Sequence, residues 1–200
     1  MIIGDPSTFA IESGITQAYS RLGFRALGFF VLHIGGRRYG VHAPDASLLA
    51  VALDVTEGRI SRRGTHTAPF STEPDGREVF DAIADAGHAP EDKVKRFFGM
   101  SQSELYNFAC ERHLWWPDPD EAFDDGTAVL QFDAGDRVRL IATNGGDGWH
   151  HNPGTFRDVW ISADSFYGVL QQWHDAFIAE WNSASKISEK DDGAELPKPL

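Results

Sequence analysis

Histidines and a single cysteine are the residues of this chain whose types could most readily support chemistry. His150 and His151 are neighbours in a Gly-rich stretch, where two imidazoles could bind a metal ion. The chain has no HxxxH, HExxH or CxxC spacing, however, so we interpret this stretch as a polar loop. Cys110 could be a nucleophile beside a distant histidine, but residues 107–111 have the pattern of an amphipathic helix. We therefore expect a buried, inert thiol.

The sequence gives equally weak support to other catalytic arrangements. The chain lacks GxSxG, a phosphate loop and GxGxxG. Asp124 and Asp125 are a carboxylate pair of the kind that a glycosidase needs, but adjacent residues on an extended segment point in different directions. Arg62, Arg63 and His66 could form a small polar site, although a turn after a short helix also explains them. We predict no catalytic residue, no metal ligand and no cofactor.

A run of carboxylates is the most informative feature. Between Arg112 and Arg137 the chain has seven carboxylates and no Lys or Arg, with Trp115 and Trp116 at the front of the run. Because several unpaired carboxylates cannot be buried together, we expect all seven on the surface. A negative field beside aromatic surface suits a basic partner better than it suits catalysis. The seven are Asp118, Asp120, Glu121, Asp124, Asp125, Asp133 and Asp136.

The sequence predicts two β-hairpins, which organise much of the chain. Residues 26–42 contain an apolar run, two glycines and a second run, which predicts a tight hairpin with Leu32 opposite Tyr39. Residues 128–142 show the same organisation around a Gly-containing turn, and 156–161 alternate as a further strand. Neither hairpin is a parallel crossover unit.

The best helix follows those strands and is capped by Ser162 or Asp164. Its large apolar residues recur at spacings of four, three, four and four, as on one buried helix face. Weaker helices fit 55–63, 77–86 and 101–113, the last with a capping box. The pattern predicts an α+β fold with a mostly antiparallel sheet covered by helices. The apolar stripe consists of Phe166, Leu170, Trp173, Phe177 and Trp181.

Composition limits the possible partners. Thirty acidic against 18 basic residues give a formal net charge of -12, so nucleic acid and anionic membrane are poor direct partners. A lone cysteine fits a reducing compartment, and the N-terminus lacks the pattern of a signal peptide. We expect a soluble cytoplasmic protein with one globular domain, 1–184, and a flexible polar tail, 185–200.

Strings along residues 1–182 resemble bacterial immunity proteins of polymorphic toxin systems, and in particular the immunity protein family numbered forty-two. This resemblance implies an antitoxin role, often in contact-dependent inhibition, in which the protein neutralises a toxin domain. The resemblance identifies no binding residue, because the matching strings belong to structural elements of the fold and not to a binding motif. The strings are Gly4-Asp5-Pro6, Phe9-Ala-Ile-Glu12, Phe24-Arg-Ala-Leu-Gly-Phe-Phe-Val31, Ile34-Gly-Gly-Arg-Arg-Tyr-Gly-Val41, Val129-Leu-Gln-Phe-Asp-Ala-Gly-Asp-Arg-Val-Arg139 and Asp158-Val-Trp-Ile161.

The expected partner is the C-terminal domain of a cognate toxin. Many toxin domains cleave nucleic acid and need a basic surface to hold phosphates, which an acidic inhibitor can occlude. Ion pairs at the exposed rim of an interface contribute little affinity, so we expect buried tryptophans to anchor the complex. The predicted partner-binding residues are Trp115, Trp116, Asp118, Asp120, Glu121, Asp124, Asp125, Asp147 and Trp149.

Other interpretations stay open at this point. A small enzyme could use Asp147 with His150 and His151, or the 62–66 segment. A ligand-binding or adaptor domain would instead show a closed apolar pocket. Each tryptophan of the predicted surface could equally lie in the core, and the carboxylates could form a solvated loop that only keeps the protein soluble.

Overall fold

The structure is a computed structural model of the 200-residue chain, and it describes residues 1–88, 96–116, 121–145 and 150–187. These residues form two β-sheets, four α-helices and a short 3-10 helix. The named strands pair antiparallel except for a two-residue strand near residue 187. The predicted α+β class is therefore confirmed.

The element bounds follow the chain in order. The strands are β1 Ile2–Asp5, β2 Phe9–Tyr19, β3 Ala26–Ile34, β4 Arg37–Tyr39, β5 Ser47–Leu48, β6 Trp115–Trp116, β7 Thr127–Ala134, β8 Arg137–Asn144, β9 Arg157–Ser162 and β10 Lys186–Ile187. The helices are α1 Leu49–Ser61, α2 Gly76–His88, α3 Gln102–Glu111 and α4 Ala163–Ser183, and the 3-10 helix is Glu121–Phe123.

The first sheet is built on β2 and β3. Strand β2 pairs antiparallel with β1 and β3 and parallel with β10, while β3 also pairs with β4 and β5. The β3–β4 hairpin has Leu32 opposite Tyr39, as predicted. Gly35 and Gly36 form its turn with φ of 56° and 76°, a conformation that glycine adopts without strain.

The second sheet has the order β6-β7-β8-β9. The predicted hairpin around 128–142 is the β7–β8 pair, in which Ala134 lies opposite Arg137. The strand predicted at 156–161 is β9, which pairs antiparallel with β8. Thus local alternation and turn residues identified these strands correctly.

Two hydrophobic clusters cover the two faces of the second sheet. The main cluster joins one face of this sheet to the first sheet, α1 and α4, and includes Val138 and Leu140. The second cluster joins the opposite face to α2 and α3, and includes Phe132 and Ile141. Consecutive β8 residues therefore face different cores, as the alternation of a strand requires.

Helix α4 matches its predicted stripe. Ser162 is the N-cap and accepts the backbone N–H of Ser165. Phe166, Leu170, Trp173 and Phe177 are fully buried, which stabilises the fold by about 1.5–3 kcal/mol for each side chain. The predicted capping box of α3 is also present.

Three residues depart from the predictions. Cys110 is exposed, because the buried side of α3 is formed by residues such as Leu105 and Ala109. Arg59 is buried, although arginine side chains are expected at the protein surface. Asp133 is also buried, so the expectation that all seven carboxylates lie on the surface is wrong for this residue. Asp133 can be buried because buried hydrogen-bond donors surround its carboxylate.

Some boundaries also differ from the sequence prediction. Helix α1 begins at Leu49 and not near residue 55. Strand β10 adds Lys186–Ile187 to the first sheet, beyond the predicted end of the domain at 184. The remainder of the predicted tail, 188–200, lies outside the described residues.

Candidate functional site

The start of β7 and the end of β8 form one end of the second sheet, where exposed carboxylates gather. We define the acidic end as residues 121–126, residues 150–156 and the adjoining Asp81 and Asp85 of α2. Glu121, Asp124 and Asp125 are exposed, whereas Ala122 and Phe123 between them are buried. Buried apolar residues thus anchor a turn whose carboxylates face solvent.

Hydrogen bonds attach this turn to the first sheet. The Val41 N–H donates to the carbonyl of Ala122 over 2.6 Å. The Gly40 N–H donates to the hydroxyl of Thr127 over 3.1 Å. The 121–127 segment is therefore held from outside its own sheet.

Asp125 joins the two strands at the acidic end. Its carboxylate accepts the backbone N–H of Thr127 over 3.0 Å and the side-chain amide of Asn144 over 2.8 Å. The Asn144 backbone N–H in turn donates to the Thr155 hydroxyl over 2.9 Å. These bonds bring the 121–126 turn beside residues 150–156, a proximity that the sequence did not reveal.

Helix α2 contributes two further carboxylates. Asp81 accepts the backbone N–H and the ring Nδ1–H of His151, each over 2.9 Å. Asp85 lies 2.7 Å from Nε2 of His150. The i, i+4 spacing of these acids on one helix face was a signal available in the sequence. The sequence prediction of the partner surface did not use it.

The histidine pair therefore contacts carboxylates separately. His150 and His151 reach different residues of α2, and within the four described ranges no group of three or more His, Cys, Asp or Glu side chains has metal-binding geometry. These contacts join the 150–156 segment to α2.

Trp115 and Trp116 occupy opposite faces of β6. The Trp116 ring is 2% exposed and packs against Phe9 and Phe166 in the main cluster. It therefore offers no surface to a partner in this conformation. Trp115 is half-buried, with its ring 5.7 Å from that of Phe80 on α2. Of the two, only Trp115 can contribute contact area.

A buried arginine holds the strand that carries both tryptophans. Arg59 donates to the carbonyls of His113 and Trp115 and, over 2.8 Å, to the side-chain oxygen of Gln131. Its guanidinium also lies 4.7 Å from the ring centroid of Trp116. Burial lowers the pKa of Arg59 to about 9, so this side chain remains charged at neutral pH.

Asp133 completes the same buried network. It accepts the Tyr167 hydroxyl and the Gly64 N–H, each over 2.8 Å, and the His66 N–H over 3.1 Å. Burial, together with the Asp133 charge, raises the pKa of Tyr167 well above its usual range. Burial, and then the charge of Arg59, lowers the pKa of His66. Three segments of chain therefore meet at one satisfied carboxylate.

Arg63 and Gly64 of the 62–66 segment line a small polar pocket of about 120 Å³. Arg63 is ion-paired with Asp164 at this pocket, and Asp133 and Tyr167 contribute to its wall. The pocket differs from the closed apolar cavity that the ligand-binding alternative predicts. Its lining residues are Arg63, Gly64, Asp133, Gly135, Asp136, Ala163, Asp164 and Tyr167.

Four residues of the predicted partner surface lie outside the described residues: Asp118, Asp120, Asp147 and Trp149. The structure does fix the described residues on either side of them. Trp116 and Glu121 flank one gap, while Gly145 and His150 flank the other. Gly145 donates its N–H to the carbonyl of Gly126 over 2.8 Å, so Gly145 itself lies beside the acidic turn.

By fold and surface, the chain is a two-sheet α+β domain with an acidic end. No helix among the described residues is long and apolar enough to cross a membrane. The chain belongs to the Immunity protein 42 family, whose family model matches residues 1–176. The family resemblance stated from the sequence is thereby confirmed, and membership supports an immunity role.

A solved structure supports the fold. The chain is similar to CdiI from Burkholderia dolosa AUO158, with a TM-score of 0.53 and 16% sequence identity. The match covers 88% of this chain and 99% of that chain. No curated protein matches the chain. At this identity the likeness concerns the architecture, so it assigns no binding residue.

Proposed function

We propose that this protein is a non-enzymatic immunity protein, which acts in the cytoplasm by binding one cognate toxin domain. The toxin domain is a nuclease, and the acidic end occludes its basic active-site surface. Membership of the Immunity protein 42 family over residues 1–176 is the observation that carries the immunity role. The carboxylates of the acidic end are our reason for proposing that the toxin is a nuclease and that inhibition occurs by occlusion.

Electrostatics supports a basic partner. Glu121, Asp124 and Asp125 face solvent from one turn, and Asp81 and Asp85 extend the negative surface onto α2. A nuclease must carry positive charge where it holds phosphates. Opposite charges on the two surfaces increase the rate of encounter and orient the partners before contact.

Charge alone does not supply a tight complex. A dissociation constant near 1 nM corresponds to about 12 kcal/mol, whereas an exposed ion pair contributes about 0–1 kcal/mol. Of the two tryptophans on β6, Trp115 is the one that can bury more surface, because it is half-buried beside α2. It lies opposite Leu130, which is four residues, or about 13 Å, along the chain from the end of the acidic turn at Gly126. We propose Trp149 as a second anchor and Asp118, Asp120 and Asp147 as additional acids. Trp116 is left out because it lies in the core.

Co-expression tests the role directly. The toxin domain encoded beside this gene is expressed alone, with this protein, or with an unrelated acidic protein of similar size. Survival should require this protein. If cells die as fast with it as with an empty vector, although both proteins accumulate in soluble form, the proposal fails.

The nuclease assignment has its own measurement. The purified toxin domain should cleave DNA or RNA, and a stoichiometric amount of this protein should abolish cleavage. Cell protection without any nucleic-acid cleavage by the toxin would reject the nuclease while leaving the immunity role intact.

A further inference from the structure

The open edge of the second sheet is the feature that carries a further inference. Strand β9 is the last in the order β6-β7-β8-β9, and its described pairing is with β8 alone. Its residues from Arg157 to Ile161 are all partly exposed, whereas β8 is almost completely buried. Among the described residues, one side of β9 therefore has no paired strand, and this side adjoins the acidic end.

The register shows which backbone groups face outward. The Ala163 N–H donates to the carbonyl of Asp136 over 2.7 Å, one step beyond the pairing of Arg137 with Ser162. Bonded and non-bonded pairs alternate in an antiparallel ladder. Val159 and Ile161 consequently direct their N–H and C=O groups toward β8. Asp158 and Trp160 direct theirs outward, where no described residue forms a backbone hydrogen bond with them.

The opposite edge of the same sheet is covered. On β7 the Gln131 N–H donates to the carbonyl of Leu114 over 2.8 Å, and the Asp133 N–H donates to that of His66 over 2.7 Å. Strand β6 pairs with the preceding residues of β7. Folded proteins usually cover or interrupt open edges, because free donors and acceptors recruit another strand. The contrast marks the β9 edge as a place for another chain.

The side chains of β9 favour an added strand. Val159, Trp160 and Ile161 are β-branched or aromatic, the types that suit paired strands. Trp160 lies beside two guanidinium groups, those of Arg137 at 4.7 Å and Arg139 at 5.3 Å from the ring centroid. Arg139 is held by Asp158, so this neighbourhood is already organised before any partner arrives.

We propose that the toxin domain adds an extended segment of its own to β9, so that the second sheet continues into the partner. This inference rests on the proposed function, because it takes the toxin domain as the occupant. Asn144 bonds to both Asp125 of the acidic turn and Thr155, and residues 150–156 lead directly into Arg157, so a basic domain held at the acidic turn is brought near the edge. Pairing with a second copy is disfavoured because each copy carries a formal charge of -12.

Amide hydrogen exchange by NMR tests the inference residue by residue. The probe is the catalytically inactivated toxin domain encoded beside this gene, added to the full-length chain. In the free protein the amides of Asp158 and Trp160 should exchange quickly, and those of Val159 and Ile161 slowly. In the complex, exchange at Asp158 and Trp160 should slow by at least about 30-fold as new hydrogen bonds form.

The outcomes separate the two proposals. Binding without added protection at Asp158 and Trp160 would overturn strand addition while leaving the immunity function standing. Absence of any binding would instead reject the proposed function. Protection of these two amides already present in the free protein would also overturn strand addition by the toxin. If that protection grows with protein concentration, a second copy covers the edge. If it does not, another segment of the same chain covers the edge.

Two substitutions at one position provide an independent measurement. Trp160→Pro removes the outward N–H, while Trp160→Thr removes the ring but keeps that donor. The toxin dissociation constant should be at least about 30-fold weaker for the proline variant than for the threonine variant. Equal constants for two folded variants would contradict the inference. If the proline variant does not fold, the exchange measurement on the natural sequence decides.

Discussion

Asp133→Asn should destabilise the fold strongly, although it changes a single atom type. One oxygen of Asp133 accepts the Gly64 and His66 N–H groups over 2.8 and 3.1 Å. The other accepts the Tyr167 hydroxyl over 2.8 Å and the Gln131 amide over 3.4 Å. Asparagine must direct its NH₂ group at one of these sets of donors, so two hydrogen bonds to a charged acceptor are lost.

The expected magnitude follows from those two bonds. Each hydrogen bond to a charged group contributes about 1.5–3 kcal/mol, and Arg59 also loses its buried counter-charge. We expect the free energy of unfolding to fall by about 3–5 kcal/mol, a large part of the 5–15 kcal/mol typical of a domain.

Urea unfolding followed by tryptophan fluorescence measures this loss. Asp136→Asn is the matched control, because Asp136 is exposed at the turn of the same hairpin, three residues away. The control should change stability by less than about 0.5 kcal/mol. Equal stabilities for the two variants would show that Asp133 is not the buried acceptor described above, and would refute the reasoning.

Three further outcomes follow from the structure. Trp116→Ala should lose about 3–5 kcal/mol of unfolding free energy, whereas Trp115→Ala should mainly weaken toxin binding; the reverse order would contradict the assignment of core and surface. Cys110 should react stoichiometrically with a thiol reagent in the native protein, and a thiol that reacts only after unfolding would contradict its exposure. Burial lowers the pKa of His174, but hydrogen bonds to Asp175 and Glu57 outweigh it and raise the pKa above 6.5. The stabilisation from His174 should therefore be complete below about pH 6.5 and disappear as pH rises through the raised pKa. His174→Gln should lack this pH dependence in urea unfolding, and a stabilisation that grows with pH would have the wrong sign.

Short-range patterns predicted much of the fold. The β3–β4 and β7–β8 hairpins, the capping box of α3 and the buried face of α4 each depend on residues a few positions apart. Strand β2 was missed because its pairing with β3 is interrupted between Ile15 and Gln17, and Gly14 weakens its alternation. A sequence pattern does not reveal that kind of irregularity.

The site was only partly predictable for a different reason. Alternation along β6 implies that Trp115 and Trp116 face opposite sides, but the side that is buried depends on Phe9 and Phe166 from distant segments. The burial of Asp133 depends likewise on Gly64 and Tyr167. Net charge along the chain could identify the acidic run, whereas the donors that bury one member of it are visible only after folding.

The central claim is that negative charge on the acidic end recruits a basic partner. Stopped-flow association with the toxin domain, measured over a range of salt concentrations, tests it most directly. Glu121→Gln with Asp124→Asn neutralises two exposed charges of the turn, and Asp54→Asn with Glu111→Gln neutralises two exposed charges on α1 and α3 as the control. We predict association about tenfold slower for the first pair at low salt, with little change for the second pair and a difference that disappears at high salt. Equal, salt-independent association rates for both pairs would contradict the claim.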